Sequence, residues 1–228
     1  MKPLKIALIG DSMTEKWGPA APQLVAELNR LYVRTEFEIE NHGLANTRAG
    51  YALYRVTHDY KDAVGNYRPC VSFGDPNLVI IESFAYTNCA DDVEGLTEYR
   101  DVLRRLHDEI ERTTAAKCLF HITIPPDRER FVENLSNFFN TSKATRQRLA
   151  DRAKLYLEEA QRIAADEEWI VADAYADVLK RVEGGDKLPR YINQSDNLSP
   201  SVYGYEAIAR VIVRAIDMGR LIEEPSAH

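Results

Sequence analysis

Short apolar runs alternate with long amphipathic stretches along this chain, and that alternation limits the folds it can adopt. The runs predict strands at residues 4–9, 37–40, 77–82, 117–124 and 169–172. The amphipathic stretches predict helices at residues 19–32, 93–113, 142–166 and 202–218. Such alternation is typical of βαβ units, in which right-handed crossovers join parallel strands. We therefore predict a single α/β domain over residues 1–228, with a parallel sheet of about five strands.

Composition and charge narrow the class of partner. Of the 228 residues, 45% are apolar and 29% are charged, which rules out wholesale disorder. The net charge of −7 argues against a surface that binds nucleic acid and against a basic patch that binds membranes. No stretch approaches the roughly 20 apolar residues of a membrane span, and the first apolar run is too brief for a signal peptide. We expect a cytoplasmic protein without nucleic-acid or membrane partners, and the oligomeric state stays open.

Cysteine spacing and cofactor motifs give no indication of a metal or an organic cofactor. Cys70, Cys89 and Cys118 are an odd number, lie far apart and lack metal-ligand spacing, so we interpret them as reduced thiols. The phosphate loop GxxxxGKS, the dinucleotide motif GxGxxG and the zinc motif HExxH are all absent from the sequence. We expect chemistry that uses no cofactor and no metal.

Candidate site residues follow the predicted strands, because ligands bind at the carboxyl ends of the strands in an open parallel sheet. Gly10-Asp11-Ser12 comes directly after the first strand, and Asn41-His42-Gly43 follows the second. Ser12 has two interpretations at this stage. It is either a nucleophile beside backbone N–H groups that stabilise an oxyanion, or, with Asp11, an ordinary cap of the next helix.

The C-terminal loop favours the nucleophile. Residues 195–205 read SDNLSPSVYGY and lead into the last predicted helix. Together with Gly10-Asp11-Ser12 and with residues 41–47, NHGLANT, this loop resembles the SGNH, or GDSL-like, hydrolases, a superfamily of esterases and lipases. The corresponding family blocks read G-D-S, N-x-G-x-x-G-x-T and D-x-x-H-P-x-x-x-G. The blocks occur in family order and span nearly the whole chain, although Asn46 stands where a second glycine is usual.

The resemblance assigns roles to individual residues. It implies that Ser12 is the attacking hydroxyl, that the amide of Gly43 is an oxyanion donor and that Asp196 is the triad acid. Asn88, in the sequence ESFAYTN after the third strand, is the candidate for the side-chain amide donor. The usual G-x-N-D motif is absent there, and an alignment shifted by one residue makes Thr87 an equally good candidate.

The family position of the general base holds Ser199 instead of histidine. Pro200 and Gly204 flank it as the family pattern requires, which argues against misalignment. A seryl hydroxyl cannot take the proton of Ser12 and return it to a leaving group. Loss of the histidine from a serine triad lowers kcat by roughly 10⁶-fold, and the remaining rate is about 10³–10⁴ times the rate in water. The sequence therefore predicts an impaired hydrolase.

Three explanations of Ser199 stay open: a natural pseudo-enzyme, an enzyme with a relocated base, or an engineered knock-out. For a relocated base we consider His42, next to the expected oxyanion glycine, against a packing or surface role. We interpret His121 as a core histidine, His58 and His107 as solvated, and His228 as terminal and mobile.

The resemblance implies a three-layer α/β/α, flavodoxin-like fold and a serine ester hydrolase whose substrate is a small-molecule ester, with a small acyl group such as acetyl on a carbohydrate. The alternative is a non-catalytic binding protein that kept the pocket and lost turnover. Residues 125–148 leave the fourth strand at the same edge and include Phe131, Phe138 and Phe139. This segment is either a lid that shapes the substrate site or an irregular loop with a small satellite core.

Overall fold

Five parallel strands form the central sheet in the computed structural model, which describes residues 2–87 and 93–223. The strands are β1 (Leu4–Gly10), β2 (Phe37–Gly43), β3 (Tyr60–Lys61), β4 (Tyr67–Arg68), β5 (Leu78–Glu82), β6 (Lys117–Ile122) and β7 (Val171–Asp173). The sheet order is β2-β1-β5-β6-β7, and every neighbouring pair is parallel. Strands β3 and β4 form a separate antiparallel hairpin.

Helices cover both faces of the sheet. They are α1 (Ser12–Glu15), α2 (Pro22–Leu31), α3 (Ala49–Thr57), α4 (Val93–Thr113), α5 (Lys143–Asp166), α6 (Ala174–Glu183) and α7 (Val202–Met218). Single 3₁₀ turns occur at Val71–Gly74, Ala85–Thr87, Ser136–Phe138 and Leu188–Arg190. Helices α2 and α7 pack on one face, and α3, α4 and α5 pack on the other. The prediction of a three-layer α/β/α fold around a parallel sheet of about five strands is confirmed.

The alternation of side chains along the central strands divides the core into two layers. In β1, Ile6 and Leu8 face the α2–α7 layer, whereas Ala7 and Ile9 face the α3–α5 layer. All residues of β5 are buried, as expected for a strand that is covered on both faces. Burial on both sides fixes the register of the sheet, since a slip by one residue would exchange the two layers.

The sequence predicts the long helices better than the short ones. Helices α4 and α7 have the predicted bounds, and the Ser142 side chain caps α5 by accepting a hydrogen bond from the Thr145 amide (3.2 Å). Strand β2 extends beyond the predicted 37–40 to Gly43, because Asn41, His42 and Gly43 continue the pairing with β1. Helices α3 and α6 are absent from the prediction.

The two longest helices carry charged outer faces. Helix α5 has 24 residues and α4 has 21, and both include ion pairs on their exposed sides, such as Lys154–Glu158 and Arg112–Glu109. No helix within residues 2–87 and 93–223 combines the length and the apolar character that a membrane crossing requires.

Candidate active site

Ser12 lies at the carboxyl end of β1, at the first position of the short helix α1. Asp11 precedes it and caps this helix, with its Oδ1 accepting a hydrogen bond from the Met13 amide (2.8 Å). The turn is tight, because a methyl group on Gly10 would overlap the Thr14 side chain and approach the Cβ of Glu82 to 2.8 Å. Asp11 thus has the capping role that the sequence allowed, and Ser12 remains partly exposed.

Two side chains from distant parts of the sequence hold α1 in place. The Asn41 side-chain amide donates hydrogen bonds to the carbonyl oxygens of Thr14 (2.8 Å) and Gly18 (2.7 Å). The Tyr205 hydroxyl, from α7, donates a hydrogen bond to the carbonyl oxygen of Met13 (3.0 Å). The turn that presents Ser12 is therefore fixed both to β2 and to the last helix of the chain.

The C-terminal loop forms a compact turn around the buried carboxylate of Asp196. Its Oδ1 accepts hydrogen bonds from the amides of Leu198 (2.9 Å) and Ser199 (3.0 Å), and its Oδ2 accepts one from the Ser199 hydroxyl. Lys16 Nζ lies 2.6 Å from the same Oδ2. Burial alone would raise the pKa of Asp196, but the hydrogen bonds from Lys16, Ser199 and the two amides outweigh it and lower the pKa.

Ser12 and the C-terminal loop meet at one cavity of about 450 Å³. Ser12, Lys16 and Leu198 line it, together with Asn46 and Thr87 from two other strand ends. Much of the remaining wall is apolar. Tyr86 contributes to it from the 3₁₀ turn after β5. The rest comes from the segment before α5 and from α5 itself: Phe131, Val132, Leu135, Phe138, Leu149 and Ala153. Both interpretations of this segment hold in part, because it lines the cavity and also forms a small core of its own around Phe131 and Val132.

Gly43 has a different environment from the one expected of an oxyanion donor. Its amide donates a hydrogen bond to Oδ1 of Asn41 (2.8 Å), and Gly43 lines a separate surface pocket rather than the cavity at Ser12. Asn46, three residues later, does line that cavity. Its φ of 58° lies in the left-handed region that glycine and asparagine tolerate best, which agrees with asparagine at a position where glycine is usual.

The expected side-chain amide donor, Asn88, lies outside the described residues. Thr87, the alternative candidate, ends the 3₁₀ turn after β5 and lines the cavity. Its hydroxyl donates a hydrogen bond to the carbonyl oxygen of Phe84 (3.1 Å).

None of the four described histidines lines the cavity at Ser12. His42 is buried, with its two ring nitrogens facing the Tyr60 hydroxyl (3.0 Å) and a Glu40 carboxylate oxygen (3.4 Å). His121 contacts the carbonyl oxygen of Ala172 (3.2 Å), and burial lowers its pKa to about 4. His42 therefore has the packing role, and His121 is the core histidine that the sequence predicts.

The prediction that His107 is solvated is wrong, whereas His58 is exposed as predicted. The His107 ring stacks on Trp169 with 4.5 Å between ring centroids, its side chain is 12% exposed, and burial lowers its pKa. Its predicted solvation rested on a charged helical stretch, and Trp169 comes from a distant segment that the pattern does not reveal. His228 lies outside the described residues.

Sequence analysis missed a buried carboxyl pair beneath the turn that carries Ser12, formed by Asp11 and Glu82. Burial raises the pKa of Asp11 to about 6. Burial, together with the negative charge of Asp11, raises the pKa of Glu82 well above its usual value. Two adjacent buried carboxylates repel each other, which favours a proton on one of them. Residues 11 and 82 are too far apart in sequence for a motif to pair them.

Arg55, also missed, joins the carboxyl ends of β1 and β2. Its fully buried guanidinium donates hydrogen bonds to the carbonyl oxygens of His42 and of Gly10, the latter at 3.1 Å. Its positive charge also lowers the pKa of Asp11, against the larger effect of burial. Arg55 therefore supports the turn that carries Ser12 from below.

We expect Glu82→Gln to make protein stability less dependent on pH. Both carboxyls have raised pKa values in the folded state, so their contribution is fully present below about pH 4 and is lost as the pH rises through about 6 and above. Calorimetry at pH 5, 6.5 and 8 should show that wild-type stability falls toward pH 8, and that this fall is smaller in Glu82→Gln. Glu98→Gln, at an exposed site on α4, is the control. Parallel curves for Glu82→Gln and wild type would contradict the pairing.

The comparisons with known proteins support this fold. No family model matches the sequence, and no curated protein is significantly similar to it. Among solved structures, a lipase/acylhydrolase from Enterococcus faecalis has a TM-score of 0.70 and 21% identity, covering 98% of this chain and 100% of its own. An acetylxylan esterase from Geobacillus stearothermophilus has a TM-score of 0.64 and 18% identity, covering 93% and 94%.

Alanine variants of the Geobacillus esterase also match, and they include replacements of a serine, an aspartate and a histidine that are described as catalytic mutants. At these low identities the similarity shows that the chain has the fold of these acylhydrolases and esterases.

Proposed function

We propose that this chain is a serine ester hydrolase of the SGNH type that works through an acyl-enzyme on Ser12, and that Ser199 in place of the histidine base impairs its turnover. The main supporting observation is that Ser12 and the loop containing Asp196 meet at one cavity, joined by Lys16. The aspartate and histidine of the neighbour's catalytic mutants are three positions apart, as are Asp196 and Ser199.

In the proposed reaction, Ser12 Oγ attacks the ester carbonyl carbon, the alcohol leaves, and water then releases the acyl group. Backbone amides at the nucleophile turn and the side chain of Asn88 would hold the oxyanion. We assign the second backbone donor to Asn46 rather than to Gly43, because the Gly43 amide already binds Asn41 and Asn46 lines the cavity. The reaction requires neither a metal nor an organic cofactor.

The substrate that we propose is a small-molecule ester with a short apolar acyl group. The wall formed by Phe131, Leu135, Phe138 and Leu149 offers an acyl chain apolar contacts close to Ser12. Each methylene that leaves water for such a wall contributes about 0.8 kcal/mol. The cavity therefore favours a short chain such as butyryl over acetyl, while carbohydrate acetyl esters remain within the proposed class.

We expect Ser12→Ala to prevent covalent labelling by a fluorophosphonate, because the bond to the label cannot form without the hydroxyl. The wild type should also hydrolyse p-nitrophenyl butyrate slowly. The wild-type rate should exceed the uncatalysed rate by about 10³–10⁴-fold at most, which is the activity that remains in a triad without its base. Mass spectrometry after treatment with a fluorophosphonate should find the label on Ser12. Wild-type kcat/KM should be higher for the butyrate than for the acetate.

Ser136→Ala is the matched control, because Ser136 also lines the cavity but belongs to the 3₁₀ turn before α5 and not to the turn after β1. This variant should keep both wild-type activity and the label. Equal fluorophosphonate labelling of Ser12→Ala and wild type would refute the proposed nucleophile.

The second candidate function is ligand binding without turnover. One observation favours it: the Asp196 carboxylate is already engaged by Lys16, Ser199 and two backbone amides. This candidate predicts that a non-hydrolysable ether analogue of the butyrate ester raises the melting temperature, while no label forms on Ser12. A label on Ser12 would decide for the hydrolase.

A further inference from the structure

Lys16 places a positive charge on the acid of the expected triad. Its Nζ lies 2.6 Å from Asp196 Oδ2, the oxygen that also accepts the Ser199 hydroxyl. Asp196 is buried, whereas the Lys16 side chain is 41% exposed and borders the cavity. A buried carboxylate thus orients a flexible amine at the edge of the site.

Lys16 also lies one helical turn after Ser12. Residues four apart on a helix lie on the same face, with about 5–6 Å between their Cβ atoms. Ser12 and Lys16 line the same cavity, in agreement with this spacing. No described histidine borders that cavity, and among the described residues that line it Lys16 carries the only amine.

We propose that Lys16, held by Asp196, transfers the proton of Ser12 in place of the missing imidazole. This inference rests on the proposed function, because it assumes that Ser12 is the nucleophile. Lysine is a suitable replacement, since its neutral amine accepts a proton and its ammonium can return it to a leaving group.

The proton balance of the reaction closes with water as the only co-substrate. The neutral Lys16 amine takes the Ser12 hydroxyl proton as Oγ bonds to the carbonyl carbon, and the resulting ammonium protonates the departing alkoxide as its C–O bond breaks. Water then attacks the acyl carbon and gives a proton to Lys16. That proton passes to Ser12 Oγ as the acyl–Oγ bond breaks, so the enzyme is restored.

An amine accepts a proton only in its neutral form, so we expect this chemistry to be favoured at alkaline pH. Asp196 forms the ion pair with Lys16. Two other charged groups lie nearby: Arg152 of α5 lines the same cavity, and Arg190 lines the groove on the other side of Lys16.

The test measures the rate of fluorophosphonate labelling of Ser12 between pH 7 and pH 10. We expect the wild-type rate to rise by about tenfold per pH unit until Lys16 is neutral. Lys16→Arg keeps the cation and the ion pair but cannot lose its proton. It should label Ser12 at least tenfold more slowly at pH 9.

Lys16→Ala should be similarly slow, and propylamine should restore its labelling in proportion to the neutral amine present. Lys154→Arg, which replaces a lysine paired with Glu158 on the surface of α5, is the control and should behave as wild type. Melting temperatures of all variants confirm folding.

Labelling by Lys16→Arg at the wild-type rate and pH profile would overturn the proposal for Lys16 and leave the nucleophile intact. Slow labelling of Lys16→Arg, combined with no rescue of Lys16→Ala by propylamine, would also overturn the proposal, since Lys16 would then have only a structural role. Absence of label on wild-type Ser12 at every pH would overturn the proposed function and Lys16 with it.

Discussion

Ser199→His is expected to raise kcat/KM for p-nitrophenyl acetate by about 10²–10⁴-fold at neutral pH, the usual contribution of a positioned general base. The Ser199 hydroxyl already donates a hydrogen bond to Asp196 Oδ2, so an imidazole at this position would have its orienting carboxylate in place. The imidazole would then take the Ser12 proton and give it to the leaving alkoxide near pH 7, because histidine changes its protonation state in that range.

Lys16 competes with the new imidazole for the same carboxylate oxygen. The double variant Ser199→His, Lys16→Met should therefore exceed the single variant at neutral pH. Ser195→His introduces a histidine at an exposed position of the same loop and should gain nothing. Steady-state kinetics, with melting temperatures to confirm folding, check the series. A folded Ser199→His protein without any gain would mean that the alignment of the C-terminal loop with the family pattern is wrong.

Gly43→Ala is expected to lower the free energy of unfolding by about 2–3 kcal/mol, the upper range for overpacked sites. A methyl group at Gly43 would collide with the Glu15 amide nitrogen and lie 2.6 Å from the carbonyl carbon of Thr14. Both atoms belong to backbone and cannot rotate away. Helix α1 would have to move off β2, and Ser12 with it, so labelling of Ser12 should fall as well.

Gly50→Ala is the matched control for this change. Gly50 lies within helix α3, and a methyl group there would have no heavy atom within 4 Å. Alanine in a helix interior is about 0.5–1 kcal/mol more favourable than glycine, so this variant should be slightly more stable than wild type. Urea denaturation measures both variants. Equal midpoints for Gly43→Ala and wild type would show that α1 tolerates displacement.

The parts of the fold that sequence analysis predicted are those in which burial imposes a long, regular pattern. Helices α4 and α7 were predicted with their observed bounds because they repeat the pattern over 21 and 17 residues. Helix α6 carried a readable signal that the analysis missed: Asp173 caps it by accepting the Ala176 amide (2.9 Å), and Gly184 ends it. Helix α3 was harder to predict, because it buries a charged residue, Arg55, on its inner face.

Sequence analysis likewise predicted only some of the residues of the candidate site. Sequence analysis could single out Ser12, Asp196 and the unusual Ser199, because each belongs to a local motif whose spacing is fixed along the chain. The sequence did not reveal that the Gly43 amide already binds Asn41, since this hydrogen bond depends on the conformation at the end of β2. Asn46 is therefore the better candidate only once its place in the cavity is known.

The amino-acid pattern alone predicted an α/β chain with a parallel sheet and placed a serine directly after the first strand. It also predicted that Ser199 stands where the resembling family has a histidine. Periodicity and short motifs are local properties, so they can be recognised in consecutive residues. Only the tertiary structure revealed that Asp11 lies beside Glu82, that Arg55 supports the turn that carries Ser12, and that Lys16 pairs with Asp196. Those contacts join residues up to 180 positions apart. They arise because parallel strands bring their carboxyl ends to one edge, whatever the length of chain between them.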